Sequence, residues 1–137
     1  MTILKPGESI QCIVKAHCKR NKPGIKLLKG ATYNIFVDPI EQTWVDGRGK
    51  FRNEVTASGY SKFYLKPFFL LKRYKRANWF ALIGAIKGEQ SYDFLIGESR
   101  LNFKPTVDGE LVLFANDALS MYWNNSGELS ITITREE

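Results

Sequence analysis

The apolar residues of this chain come in short runs. Each run is rich in β-branched or aromatic side chains and closed by Gly, Pro, Asn or Asp. No stretch sustains a 3.6-residue period, so the pattern predicts strands and turns instead of amphipathic helices. Residues 9–16 (SIQCIVKA) alternate as a strand. Pro23-Gly24 marks a turn, residues 26–29 a short strand, and Gly30 opens residues 31–37 (ATYNIFV), which end at Asp38-Pro39. Residues 66–74 (KPFFLLKRY) and 79–86 (WFALIGAI) read as buried strands, with Phe68, Leu70 and Phe80 facing inward. Residues 92–96 form another, and Asn102-Phe103-Lys104 leads into Pro105. Residues 110–115 (ELVLFA) and 128–134 (ELSITIT) alternate cleanly. Their period of two groups Leu111 with Leu113, and Leu129 with Ile131 and Ile133. Residues 46–62 are polar, basic and Gly-rich, with a turn at Asp46-Gly47-Arg48-Gly49, and read as a long surface loop. The expectation is an all-β chain, a two-sheet antiparallel β-sandwich. No linker or internal repeat divides it, and 137 residues suffice for a buried core, so residues 1–137 read as a single domain.

Composition narrows the chemistry. Two cysteines, Cys12 and Cys18, and one histidine, His17, cannot close a zinc site. On one extended strand the two cysteines lie beyond bridging distance, so unpaired thiols are expected, as in a reducing cytosol. His17 sits among Lys15, Lys19 and Arg20 with no acidic neighbour, which argues against histidine-based catalysis. No nucleophile–base pair is visible, and Asp117 and Asp46 are the only carboxylates suited to glycoside cleavage. A non-catalytic chain is expected. No apolar run is long enough for a membrane span, and the N-terminus lacks the apolar segment of a secretory signal. The expected location is the cytoplasm, or outside the cell by release without a conventional signal peptide.

One loop carries most of the chemical signal. Residues 116–127 (NDALSMYWNNSG) place the Asp117 carboxylate and the amides of Asn116, Asn124 and Asn125 within ten residues, between two expected strands. Oxygen-rich loops of this kind suit a hard cation such as calcium. The same residues also favour turns, because Asn, Asp and Ser bond the local backbone, and Asn125-Ser126-Gly127 fits a tight turn with Gly at positive φ.

At this point the residues resemble a known family, the calcium-dependent galactose lectins of the PA-I type, with their galactose-binding-like jelly-roll fold. Three elements carry the resemblance. The first is the apolar strand Ala81-Leu82-Ile83-Gly84-Ala85-Ile86. The second is Phe94-Leu95-Ile96-Gly97, then Phe103-Lys104-Pro105 and Gly109-Glu110-Leu111-Val112-Leu113. The third is Asn116-Asp117 with Asn124-Asn125-Ser126-Gly127 at the family's spacing, followed by Leu129 and Ile131. The match covers about residues 79–134. It implies a β-sandwich with a sugar site where loops converge at one end. It also implies Ca2+ as cofactor, held by the Asp117 carboxylate, the Asn124 and Asn125 side-chain oxygens and the Met121 backbone carbonyl. A further carbonyl would come from near Trp44, Val45 or Asp46. Asp117 and Asn124 would also hydrogen-bond the sugar, and Trp123 and Trp44 would contact it. The chain departs from the family in two places. The His and Gln with which those lectins grip the primary hydroxyl have no counterpart in residues 45–65, which hold Arg48, Lys50 and Arg52 instead. Trp123 also replaces a small residue, and could stack on a sugar face or block the site.

The net charge of +6 is unevenly placed. Residues 1–100 hold eighteen Lys/Arg against eight Asp/Glu, whereas residues 101–137 hold two against six. Such a field attracts anionic partners, although charge runs more often form a solvated face. A second reading is therefore a metal-independent interaction module. Its basic loops, with Arg48, Arg52, Arg73 and Arg76 as candidate anion-binding residues and Tyr74 as a stacking surface, would engage an acidic glycan, nucleic acid or protein. In the first reading the partner is a carbohydrate, galactose or a related sugar. A homo-oligomer would multiply the strength of weak single sites.

Overall fold

A computed structural model describes residues 1–137, except for the side chains of Phe63 and Tyr64. Ten strands run β1 (Ser9–Lys15), β2 (Lys26–Leu27), β3 (Tyr33–Val37), β4 (Thr43–Asp46), β5 (Asn53–Thr56), β6 (Leu82–Ile86), β7 (Phe94–Leu95), β8 (Ser99–Phe103), β9 (Gly109–Ala115) and β10 (Glu128–Arg135). They form two four-stranded sheets, ordered β1-β10-β3-β8 and β2-β9-β6-β7, and a separate β4-β5 hairpin. All the strand pairs are antiparallel. The two-sheet antiparallel sandwich expected from the sequence is the fold. Among the described residues no helix is long and apolar enough to cross a membrane.

The core lies between the sheets and follows from the period-two pattern. Leu111 and Leu113 of β9 meet Leu129, Ile131 and Ile133 of β10, together with Val14, Tyr33, Ile35, Leu82 and Ile86. β6 is buried along its whole length. Its other face, with Ile83 and Ala85, joins Val112 and Phe114 of β9 in a second cluster under Ala77, Ala81 and Tyr74. A strand covered on both faces reads as one continuous apolar run, which is why residues 79–86 lacked alternation. Cys12 and Cys18 are free thiols, and burial pushes the Cys12 thiol up to about 11.

Three expectations change. Residues 46–62 do not form one loop, because Asn53–Thr56 pairs with Thr43–Asp46. The hairpin went unread because its buried residues, Trp44, Val45 and Val55, are few and set among polar ones. Residues 66–74 are not a buried strand. Phe63–Leu71 is a 3-10 helix containing Pro67, which can donate no ladder hydrogen bond. Both neighbours of β6 are already taken, by β9 and β7, so no central position remains for this segment. Phe68 and Leu70 are exposed, whereas Phe80 is fully buried as expected.

β6 also begins later than expected. Phe80 has φ +64°, a left-handed backbone that a bulky residue adopts only under constraint. The constraint is visible. Phe80 N–H donates to the Asn116 carbonyl at 2.7 Å, its own carbonyl accepts from Trp44 Nε1 at 3.2 Å, and its ring packs edge-on to Trp44.

Gly84 lets β6 pass beneath Phe94, whose ring occupies the space a Cβ would need and stacks on Phe103 at 3.9 Å. Gly84→Ala should therefore destabilise the protein by roughly 1–3 kcal/mol, the usual cost of overpacking. Urea denaturation checks this, and an unchanged midpoint would show that the Phe94 ring moves freely.

Candidate metal and ligand site

β9 is in one sheet and β10 in the other, so the loop between them has to cross one end of the sandwich. Asn116 begins the crossing. Its side chain accepts from Tyr74 N–H at 2.8 Å and donates to the carbonyls of Tyr74 at 2.8 Å and Asn78 at 2.9 Å. The residue is fully buried and holds residues 74–78 against the strand end. Of the amides that make this loop oxygen-rich, Asn116 is therefore committed to the scaffold. Tyr122 folds back onto the same end, donating from its hydroxyl to the Ala115 carbonyl at 2.5 Å. Ser126 exchanges backbone bonds with Val45 at 2.8 and 3.0 Å, and Gly127 passes close to Trp44 with φ +81°. Gly127 has the expected positive φ, but in place of a tight turn at Asn125-Ser126-Gly127 Ser126 bridges to Val45, and this is where the loop docks on β4.

Between these anchors lie Asp117, Asn124 and Asn125. Asp117 is only 5% exposed. Its carboxylate accepts from Asn125 Nδ2 at 3.0 Å and from Ala118 N–H at 2.8 Å. Burial nevertheless pushes its pKa up to about 6, against the lowering effect of those two bonds and with a further push from Asp46. Asp46 is also raised, chiefly by burial, while the Tyr60 hydroxyl bonded to it and nearby Lys62 pull the other way. Asn124 Oδ1 and Asn125 Oδ1 are buried with no hydrogen-bond partner. Orphaned buried carbonyl oxygens are rare and ask for an explanation.

Carboxylate, amide and backbone oxygens are the types that a hard cation takes. The four residues expected from the sequence, Asp117, Asn124, Asn125 and Met121, would offer four of the six to eight oxygens that calcium takes; the Met121 carbonyl already accepts from Asn124 N–H at 3.3 Å, and Asn125 turns its Nδ2 toward Asp117. Of the three residues expected near a further carbonyl, Val45 already accepts from Ser126 N–H. Asp46 lines a cavity of about 330 Å³ together with Asp117 and Met121. Among the described residues no group of three or more His, Cys, Asp or Glu side chains gathers at one point. Any ion here would therefore depend on amide and backbone oxygens.

Tyr60, Phe68 and Trp79 also line this cavity. No local signal in the sequence marks these three. They come from the segment after β5, the 3-10 helix and the turn before β6, and only the tertiary structure joins them. The two tryptophans singled out from the sequence part company. Trp44 is 0% exposed and packs in the core, so its ring is out of reach of a ligand. Trp123 is 64% exposed, with the Arg48 guanidinium 5.7 Å from its ring and bonded to its carbonyl at 3.0 Å.

The four arginines do not share one surface role. Arg48 braces Trp123, and Arg52 pairs with Glu54 at 3.2 Å on the exposed hairpin. Arg73 is a clamp. It donates to the Lys19 carbonyl at 2.6 Å and to the Tyr122 hydroxyl at 3.2 Å, over the Phe114 ring at 3.5 Å. Arg76 is exposed. His17 is exposed too, beside Cys18 and with no carboxylate partner among the described residues.

The raised Asp117 pKa sets a sign for stability against pH. The folded state keeps the proton to about pH 6, whereas an unfolded aspartate loses it near 3.8. The contribution is fully present below the lower value and is lost as pH rises to about 6. In chelator, thermal melts should show this loss between about pH 4 and 6. Asp117→Asn should flatten it and match or exceed the wild type at pH 7. A wild-type curve that rises over this range would contradict the burial of this carboxylate.

No protein-family model matches the chain, and no curated protein matches it in sequence. Among solved structures it is similar to a chain described as "EclA N-terminal domain; PllA-like lectin". The TM-score is 0.69 at 20% identity, covering 92% of this chain and 95% of the other. At that identity the similarity establishes a shared fold, the β-sandwich of a lectin domain.

Proposed function

We propose that this chain is a non-catalytic carbohydrate-binding domain in which calcium at the residue 116–127 loop receives the sugar. One observation carries the reading. Two buried amide oxygens of this loop, on Asn124 and Asn125, lack partners, and the desolvated Asp117 carboxylate, bonded to Asn125 Nδ2, lines an aromatic cavity. A bound cation would complete both orphaned oxygens and favour the ionised form of Asp117. Two neighbouring sugar hydroxyls can replace waters on such an ion. A carboxylate beside them accepts their protons in charge-assisted bonds. The shared fold with a lectin domain supports the carbohydrate class.

The residues around the ion site would then act on the sugar. Tyr60, Phe68 and Trp79 offer apolar faces to its C–H groups, and about 330 Å³ accommodates one ring. Exposed Trp123, braced by Arg48, offers a second face at the rim. The polar grip on a primary hydroxyl is the part that differs from the galactose lectins. Here the group beside Asp117 is the Tyr60–Asp46 pair. Galactose is thus the first sugar to try, with related sugars as alternatives.

Calorimetry with calcium chloride should show binding to the wild type and none to Asp117→Asn. At a hundredfold excess over Kd, calcium should stabilise the wild type by about 2.7 kcal/mol. Affinity should fall about tenfold per pH unit below about 6, as each ion then displaces a proton. A wild type without calcium heat or thermal shift would end the metal reading. A glycan array with and without chelator tests recognition, and equal signals would exclude a role for the ion. Trp123→Ala should weaken sugar binding about fivefold, the loss of roughly 1 kcal/mol of stacking.

A further inference from the structure

A larger cleft of about 570 Å³ adjoins the candidate sugar cavity, and the two share Leu71, Ala118 and Ser120. Its floor is apolar, with Ala85 and Val112 from the outer face of β6 and β9. Its rim is cationic, carrying Arg20, Lys72, Arg73 and Lys75 against a single carboxylate, Asp93. These cations differ in how they are held. Lys72 donates to the Ala77 carbonyl at 2.9 Å and lies over Trp79, and Arg73 is the clamp described above. Arg20 and Lys75 are exposed, and among the described residues neither has a carboxylate within ion-pair distance. Asp93 is held above the usual carboxylate range by burial, with Arg73 pulling it down.

We infer that this cleft is an anion subsite next to the sugar cavity, and that the ligand is an acidic glycan whose sulfate or carboxylate group lies between Arg20 and Lys75. Two observations choose a glycan over other polyanions. The shared wall of Leu71, Ala118 and Ser120 lets one oligosaccharide span both cavities, and the apolar floor suits a ring face better than a phosphate backbone. The inference rests on the carbohydrate reading and adds the class of sugar to it. It also joins the two functions that the sequence offered as rivals, through a different set of cations. Of Arg48, Arg52, Arg73 and Arg76, only Arg73 lines the cleft, and Arg20 and Lys75 supply the uncommitted charge.

The test compares lactose with 3′-sulfolactose and 3′-sialyllactose on the calcium-loaded full chain at 50 and 300 mM sodium chloride. At least one acidic sugar should bind tenfold or more tighter than lactose at low salt, and the difference should shrink at high salt. Arg20→Gln/Lys75→Gln should erase that difference while leaving lactose affinity unchanged. Equal binding of all three sugars, or a preference that survives the double substitution, overturns the subsite. A second arm titrates sodium sulfate and follows backbone amide shifts of Gly88 and Gln90, which line the cleft. Shifts in the wild type that vanish in the double variant support the anion subsite even if no sugar binds, a result that would remove the carbohydrate reading alone. No shifts together with an acidic-sugar preference would place the charge recognition elsewhere. A single-stranded oligonucleotide that competes with the acidic sugar at equal affinity would also overturn the glycan assignment.

Discussion

The crossing from β9 to β10 is the constraint on which the candidate site depends. These strands sit inside different sheets, so the chain between them has to leave one hydrogen-bonded ladder and enter another across the end of the core. A buried crossing leaves backbone groups that need partners. Asn116 meets that need by acting as a substitute strand end. Its amide binds Tyr74 and Asn78, and its backbone binds Phe80 and Ala81. The same contacts keep Phe80 at positive φ and help hold the segment that caps the outer face of β6. Scaffold and site therefore meet in adjacent residues, Asn116 holding the fold and Asp117 facing the cavity.

Next to that anchor the loop gives up some stability. A carboxylate shielded from water, a second raised carboxylate close enough to repel it, and two amide oxygens without partners all oppose folding in the absence of a ligand. The surrounding bonds tolerate this because they anchor the loop at both ends, through Asn116 and Tyr122 on one side and the Val45–Ser126 bridge on the other. A polar cluster that is incompletely satisfied inside a well-anchored loop is the physical basis for regarding it as a site. Ordinary turn residues would satisfy their own oxygens locally.

Some of this was legible along the chain, and the reasons for success and failure are local. β1 and β10 were readable because one face meets the core and the other meets water or polar neighbours, which imposes a period of two, whereas β9, buried on both faces from Leu111 to Ala115, was readable from its apolar run. The loop holding Asp117, Asn124 and Asn125 could be singled out because its polar side chains are close in sequence. The β4-β5 hairpin was hidden by having so few apolar residues. The segment after Lys66 was misread because apolar content alone does not distinguish a buried strand from a helix lying on the surface. Whether Phe68 is inside or outside depends on whether a sheet position is free, and that is settled by strands far away in sequence. Trp44 and Trp123 are a similar case. Both are large aromatics in polar surroundings, yet one is sealed in the core and the other stands at the rim.

By itself the sequence determined an all-β chain, the strands that carry its core and an oxygen-rich loop between the last two strands. Those properties come from neighbours a few residues apart, where period and composition act directly. The tertiary structure decided that the Asn116 amide serves the scaffold while the side-chain oxygens of Asn124 and Asn125 stay without partners. It also brought Asp46, Tyr60, Phe68 and Trp79 to the cavity lined by Asp117, and placed Arg20 and Lys75 on one adjoining cleft. Strand order controls all of these, because in a sandwich each strand's partners come from distant parts of the chain. A site at the end of the sheets is assembled from whichever loops that order places together.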